Sequence, residues 1–174
     1  MKMSDGGFRP AYNVQVVMDT GSRAIVEVDV TTVGSDQMQS EPLRDPVQER
    51  TGGLVEEHLM DGGFVKIEQI ERAEQAGVKV YAPPQRSRKD TDPYRVREAD
   101  RPEIAAWRTR MATEKAKTLY KERASTRETV NADLRTYRGL SPFLARGLRK
   151  VRCVVLWSAL AYNLMHFGKV LLMD

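Results

Sequence analysis

The sequence predicts an α/β chain made of a β-hairpin, a βαβ-like segment and two long C-terminal helices, and three observations carry that assignment. Over residues 11–33, Tyr12, Val14, Val16 and Met18 alternate with Asn13, Gln15 and Asp19. Ala24, Val26, Val28 and Val30 then alternate with Glu27, Asp29 and Thr31. A period of two leaves one strand face apolar, and Asp19-Thr20-Gly21-Ser22 supplies the turn between two such strands. Next, an apolar run over residues 54–60 stops at Asp61-Gly62-Gly63. Ile67, Ile70 and Ala73 follow at helical spacing up to Gly77, and Val78-Lys79-Val80-Tyr81 ends at Pro83-Pro84. Strand, turn, helix and strand in that order imply a mixed or parallel sheet. Finally, helical periodicity predicts one helix over residues 103–137, broken near Met111, and another from Pro142 or Arg146 to the C-terminus.

The remaining segments join these parts. Residues 35–50 are polar and interrupted by Pro42 and Pro46, which suits a broken helix or a long crossover rather than a strand. Residues 83–102 are charged, rich in proline and without periodicity, so they are expected to form an exposed connection. The 174 residues thus read as a single partial domain: a sheet part at 11–82, the connection at 83–102 and a helical part at 103–174. Residues 153–168 contain no Asp, Glu, Lys or Arg. They are still shorter than the roughly 20 apolar residues a membrane span needs, and Ser158, Asn163 and His166 interrupt them. A helix buried against the sheet is the expectation, with no membrane partner.

Composition bounds the function classes. With 41% hydrophobic and 30% charged residues, the chain is an ordinary globular protein rather than a disordered one. One cysteine, Cys153, excludes a disulfide framework and zinc-finger spacing, and the opening MKMSDGGFRP lacks the apolar core of a secretory signal. A cytoplasmic location is expected. Charge is unevenly distributed: residues 1–90 carry 11 Lys and Arg against 15 Asp and Glu, a net −4, while residues 91–174 carry 17 against 9, a net +8. The basic half suits a polyanion, and a solvated basic helix would explain the same count.

Two constellations could carry chemistry. Asp61 ends an apolar strand at a Gly-Gly turn, where side chains project into the crevice beyond a sheet and small residues let other groups approach; an ordinary Asp-Gly turn residue fits as well. On the helix YKERASTRETVNADLR, at residues 120–135, Tyr120, Arg123, Glu128, Asn131 and Arg135 fall within one arc of about 140°. Leu119, Val130, Leu134 and Tyr137 form an adjacent apolar seam. Glu128 is the one carboxylate of the polar stripe and is flanked by Arg123 and Arg135. Intrahelical pairing is the alternative, although spacings of five and seven do not suit the i,i+4 geometry.

The segments RPAYNVQVVMD at 9–19, DGGF at 61–64, YKERASTRETVN at 120–131, RGLRKV at 146–151 and LWSALAYNL at 156–164 resemble, in order, the motifs of DDE-class insertion-sequence transposases. The resemblance covers most of the chain and corresponds to the C-terminal part of the catalytic domain. It implies a partial ribonuclease H-like fold and metal-dependent cutting and joining of DNA at transposon ends, with two Mg²⁺ or Mn²⁺ ions held by carboxylates. By the same resemblance Asp61 matches the second carboxylate of a triad and Glu128 the third. Tyr120, Arg123 and Asn131 match the signature around Glu128, with Arg123 toward DNA phosphate, and Arg135 stands where the family has Lys or Arg. Arg146, Arg149 and Lys150 extend the expected DNA-facing surface.

One departure accompanies these matches. The family's first aspartate lies upstream of the RPAYNVQ motif, so it has no counterpart here, and neither Asp19 nor Asp36 matches it. The expectation is a truncated frame that is inactive alone. It would act on double-stranded DNA as a homodimer or in mixed assembly with intact transposase; the rival is a non-catalytic DNA-binding or regulatory module.

Overall fold

A computed structural model of the chain describes residues 6–7, 11–53, 55–85, 92–140 and 143–171. Two compact units divide it, one formed by Met1–Gly34 with Ser125–Asp174 and the other by Ser35–Ala124. Each unit combines strands with helices, so this division cuts across that between sheet part and helical part. Mixed α/β architecture is what the alternating and helical periodicities predict.

The first unit is built on the hairpin. Strands β1 (Asn13–Met18) and β2 (Ile25–Thr31) pair antiparallel, with Val14 opposite Val30 and Val16 opposite Val28. The register then slips: Val17 faces Glu27, but Met18 faces Ile25, so Val26 drops out of the ladder. This bulge corrects the expected face. Ile25 joins Val28 and Val30 in the core, where strict alternation had put Ala24 and Val26. Asp19 holds the turn by accepting the Ser22 amide at 2.7 Å and the Ser22 hydroxyl at 2.6 Å.

Two helices complete this unit's core. The long helix α4 (Glu114–Tyr137), shared with the second unit, contributes Val130 and Leu134; α5 (Leu148–Leu171) contributes Val151, Val155, Ala159 and Tyr162. Helix α5 begins two residues after Arg146, while Pro142 and residues 172–174 lie outside the described residues. The Asn163 side-chain amide accepts from the Ile25 amide at 2.9 Å and donates to the Ile25 carbonyl at 2.8 Å, fixing α5 to the bulged end of β2. Ser158 donates to the Arg138 carbonyl. Only one face of α5 is buried, however, and Leu156, Trp157, Leu160, Leu164 and Met165 are exposed, so burial of the whole helix is not observed. No helix among the described residues is long and apolar enough to cross a membrane.

The second unit holds α1 (Ser40–Thr51), β3 (Glu57–Leu59), α2 (Ile67–Gln75), β4 (Lys79–Tyr81), α3 (Pro102–Ala112) and the start of α4. Helix α1 is continuous: Pro42 sits in the first turn, where amides have no intrahelical acceptor, and Pro46 is accommodated within it. The expected break is therefore absent. Strand β3 is shorter than the predicted run, and Leu54 lies outside the described residues. It pairs with β4 in parallel, His58 opposite Val80, as the strand-helix-strand order implies. Gly77 at φ 83° ends α2, its amide bonding the Glu74 carbonyl.

The long helical pattern breaks at Thr113, two residues after Met111, whose hydroxyl accepts from the Ala116 amide and opens α4. Residues 86–91 of the connection lie outside the described residues. Its later part is exposed over residues 95–99 and anchored on either side, where Arg108 pairs with Asp100 at 2.8 Å and donates to the Pro93 carbonyl. Ile70, Val78, Val80, Ile104 and Trp107 form the unit's core.

The hairpin turn yields a test. Donation by the Ser22 hydroxyl first, and by the Ser22 amide next, holds the Asp19 carboxyl below its ordinary value of 3.8. A depressed folded value contributes stability at pH above the unfolded value, lost as pH falls through the folded one. Asp19→Ala should lower urea stability by on the order of 1 kcal/mol at neutral pH, and that difference should vanish in acid. A pH-independent difference would contradict the assigned role.

Candidate active site

The site begins at the end of β3. Met60 is buried and its amide bonds the Tyr81 carbonyl, so the parallel pairing carries the chain one residue past the strand to Asp61. Asp61 then caps a single 3-10 turn, Gly62–Phe64, accepting the Gly62 amide at 2.7 Å. A Cβ on Gly62 would stand 3.4 Å from Pro83 Cγ, and one on Gly63 would stand 3.6 Å from Asp36 Oδ2. What the small residues admit here is therefore a proline ring and a second acidic side chain. Asp61 keeps 42% of its side chain exposed, which leaves the carboxylate accessible.

Arg123 reaches that carboxylate from α4, its Nη2 lying 3.8 Å from Asp61 Oδ2. The guanidinium also lies over the Tyr120 ring, 5.3 Å from its centroid, one helical turn earlier. Stacking and charge together orient the arginine. Three of the residues singled out in the sequence, Asp61, Tyr120 and Arg123, are thus gathered within one compact unit, although the first is about 60 positions from the others.

Sequence reasoning missed two neighbours. His58, on β3, has its imidazole pushed down to about 4, first by burial and then by the charges of Arg44 and Arg123. Arg44, on α1, is itself largely buried and paired with Asp45 at 2.9 Å. A histidine three residues before Asp61 was visible in the sequence, but its environment was not. Arg44 had no signal at all, since only packing of α1 brings its charge near β3.

The other predicted residues belong to the hairpin unit. Glu128 and Arg135 are exposed and Asn131 half-buried on the later turns of α4, in the hairpin unit. Arg146, Arg149 and Lys150 are exposed at and just before the start of α5. The expected apolar seam divides: Val130 and Leu134 are core, Leu119 packs in the other unit, and Tyr137 is 75% exposed and drops out. Asp19 is committed to its turn.

Carboxylate oxygens suit hard divalent cations. Among the described residues, no group of three His, Cys, Asp or Glu side chains stands close enough to hold an ion.

A protein-family model for the transposase DDE domain matches residues 2–164. The chain belongs to that family, whose members carry out DNA transposition, a phosphoryl transfer on DNA served by divalent metal ions. No curated protein and no solved structure matches it significantly.

His58 gives this site a pH test. Because its folded value lies below the unfolded one, the folded state binds fewer protons between about 4 and 6.5, and stability should fall as pH drops through that window. The loss should reach on the order of 2–3 kcal/mol. His58→Gln should remove most of that slope in urea titrations at stepped pH, whereas an unchanged slope would place the titrating group elsewhere.

Proposed function

We propose that this chain is a partial ribonuclease H-like transposase domain that binds double-stranded DNA at transposon ends. In this reading Asp61 and Glu128 are two of three metal-binding carboxylates. Arg123 holds a DNA phosphate near the cut, Tyr120 and Asn131 support that region, and Arg135, Arg146, Arg149 and Lys150 position the backbone on either side. The observation that supports it best is the Asp61–Arg123–Tyr120 grouping, in which motif members from distant positions meet at a strand end.

The pairing has a chemical use. An arginine 3.8 Å from a carboxylate partly offsets its charge while the site is open. A phosphodiester offers the guanidinium a bidentate partner, so arrival of DNA would draw Arg123 from Asp61 and leave the carboxylate available to a cation. Divalent ions in such sites activate the attacking oxygen and stabilise the leaving one.

Binding should be sequence-tolerant and strongly dependent on salt, because the +8 surplus lies in residues 91–174 and acts on phosphates. Arg123→Gln with Arg135→Gln should weaken duplex binding and reduce the slope of log affinity against log salt by about one per contact removed. Absence of duplex binding at low salt, or an unchanged slope, would remove the support for a DNA-facing surface.

The 174 residues alone should not nick supercoiled plasmid with Mg²⁺ or Mn²⁺, since each 1.36 kcal/mol of lost transition-state stabilisation is about tenfold in rate and a missing ligand removes several. Activity should appear when a segment carrying the family's first aspartate is joined upstream, and disappear again with Asp61→Ala or Glu128→Ala. Nicking by the chain alone that depends on both carboxylates would instead mean that another group, with Asp36 beside the Gly63 turn the first to test, completes the set.

A further inference from the structure

The strand that leads to Asp61 has a second arginine near it, one that belongs to none of the motif segments. Arg44 stands on α1, four residues after Ser40, so the two share a helix face. That face is the docked one: Ser40 is buried and its hydroxyl donates to Gln69 of α2 at 3.0 Å, while Glu41 pairs with Arg72 of α2 at 2.8 Å. Arg44 therefore points inward and keeps 10% of its side chain exposed.

Its pairing is unlike that of the structural arginines of the same unit. Arg108 and Arg110 each meet a largely buried carboxylate, Asp100 or Glu74, and a backbone carbonyl as well. Arg44 instead sends Nε and Nη2 to one oxygen, Asp45 Oδ1, at 3.1 and 2.9 Å, and the Asp45 side chain is 62% exposed. Arg123, at 14%, faces Asp61, at 42%, in the same manner. In both pairs the cation is held within the fold and the carboxylate is the solvent-facing partner. Ion pairs open to water are weak, and a guanidinium held in this way can exchange its carboxylate for a phosphate.

His58 places the two arginines together. After burial itself, the charges of Arg44 and Arg123 lower its imidazole to about 4, so both guanidiniums act on one point of β3, three residues before Asp61. A neutral imidazole offsets neither charge, and the place they share suits an anion.

We propose that Arg44 and Arg123 clamp one DNA phosphate between them, which makes Arg44 a further residue positioning DNA beside Asp61. The inference rests on the reading of Arg123 as a phosphate contact. Arrival of the phosphate would draw Arg44 from Asp45 as it draws Arg123 from Asp61.

The test is duplex binding by the full chain at low salt, measured for Arg44→Gln, Arg123→Gln and the double change, with circular dichroism as the control of folding. Each single change should weaken binding about tenfold. The double change should lose far less than the product of about a hundredfold, because both cations act on the same phosphate. Unchanged affinity in Arg44→Gln beside weakened binding in Arg123→Gln would overturn the clamp and leave the reading of Arg123 standing. Weakening in neither would remove both, and a full product in the double change would assign the arginines to separate phosphates and overturn the clamp. A measurement on the native chain covers the case in which Arg44→Gln does not fold. As a short duplex is added, the side-chain Nε–H resonances of Arg44 and Arg123 should shift along one titration curve. Movement at Arg123 with none at Arg44 would overturn the proposal, and movement at neither would remove the reading of Arg123 with it.

Discussion

The Asp61 turn stands on a pair of three-residue strands, which cannot hold a register by their own ladder. A charged clasp supplies what the ladder lacks. Glu74 of α2 accepts the Val80 amide at 2.7 Å and pairs with Arg110 of α3. Arg110 also donates to the Val80 carbonyl and lies over the Tyr81 ring, 5.4 Å from its centroid. Tyr81 in turn donates to Glu57 on the neighbouring strand at 3.1 Å. One ion pair thereby ties two helices to both strands. Removing either partner would leave a charge largely shielded from water, the costly way to break such a pair. The position of Asp61 is inherited from this clasp, because Met60 bonds Tyr81 and Asp61 follows directly.

Charge placement continues the argument at the strand end. Arg44 and Arg123 both raise the positive potential near His58, which burial already keeps neutral, and Arg123 also lies 3.8 Å from the Asp61 carboxylate that follows the strand. Asp61 accepts the Gly62 amide at 2.7 Å and lies 3.8 Å from the Arg123 guanidinium, so a backbone amide and a helix side chain both act on its carboxylate. The arrangement accounts for an aspartate at the end of a strand and for an arginine on a helix one turn from an aromatic ring. The unit's apolar core is formed by other residues, among them Ile70, Val78, Val80, Ile104 and Trp107.

Much of this was legible from residues alone, for identifiable reasons. The hairpin, the parallel pairing and the break between α3 and α4 follow from periodicities and from turn residues whose effects are local. What could not be read depends on tertiary packing. Alternation put Val26 in the core, but the bulge skips it and Asn163, 138 positions away, bonds the backbone of Ile25 instead. Pro46 suggested a break, yet one missing amide is tolerated within α1. Tyr137 fits the helical seam by angle but lies at the last residue of α4, where it is exposed. The family was accessible because motif order and spacing are sequence properties. The proximity of Arg44 and His58 was not.

The proposal that Asp61 and Glu128 serve one ion can be tested without relying on turnover. Mn²⁺ titrated into the isotope-labelled chain broadens resonances near the bound ion. The account predicts that signals around both residues broaden together at the same low occupancy, and that Asp61→Asn or Glu128→Gln abolishes the effect at both positions. Broadening confined to one residue, or persisting at Asp61 when Glu128 is changed, would contradict a shared site.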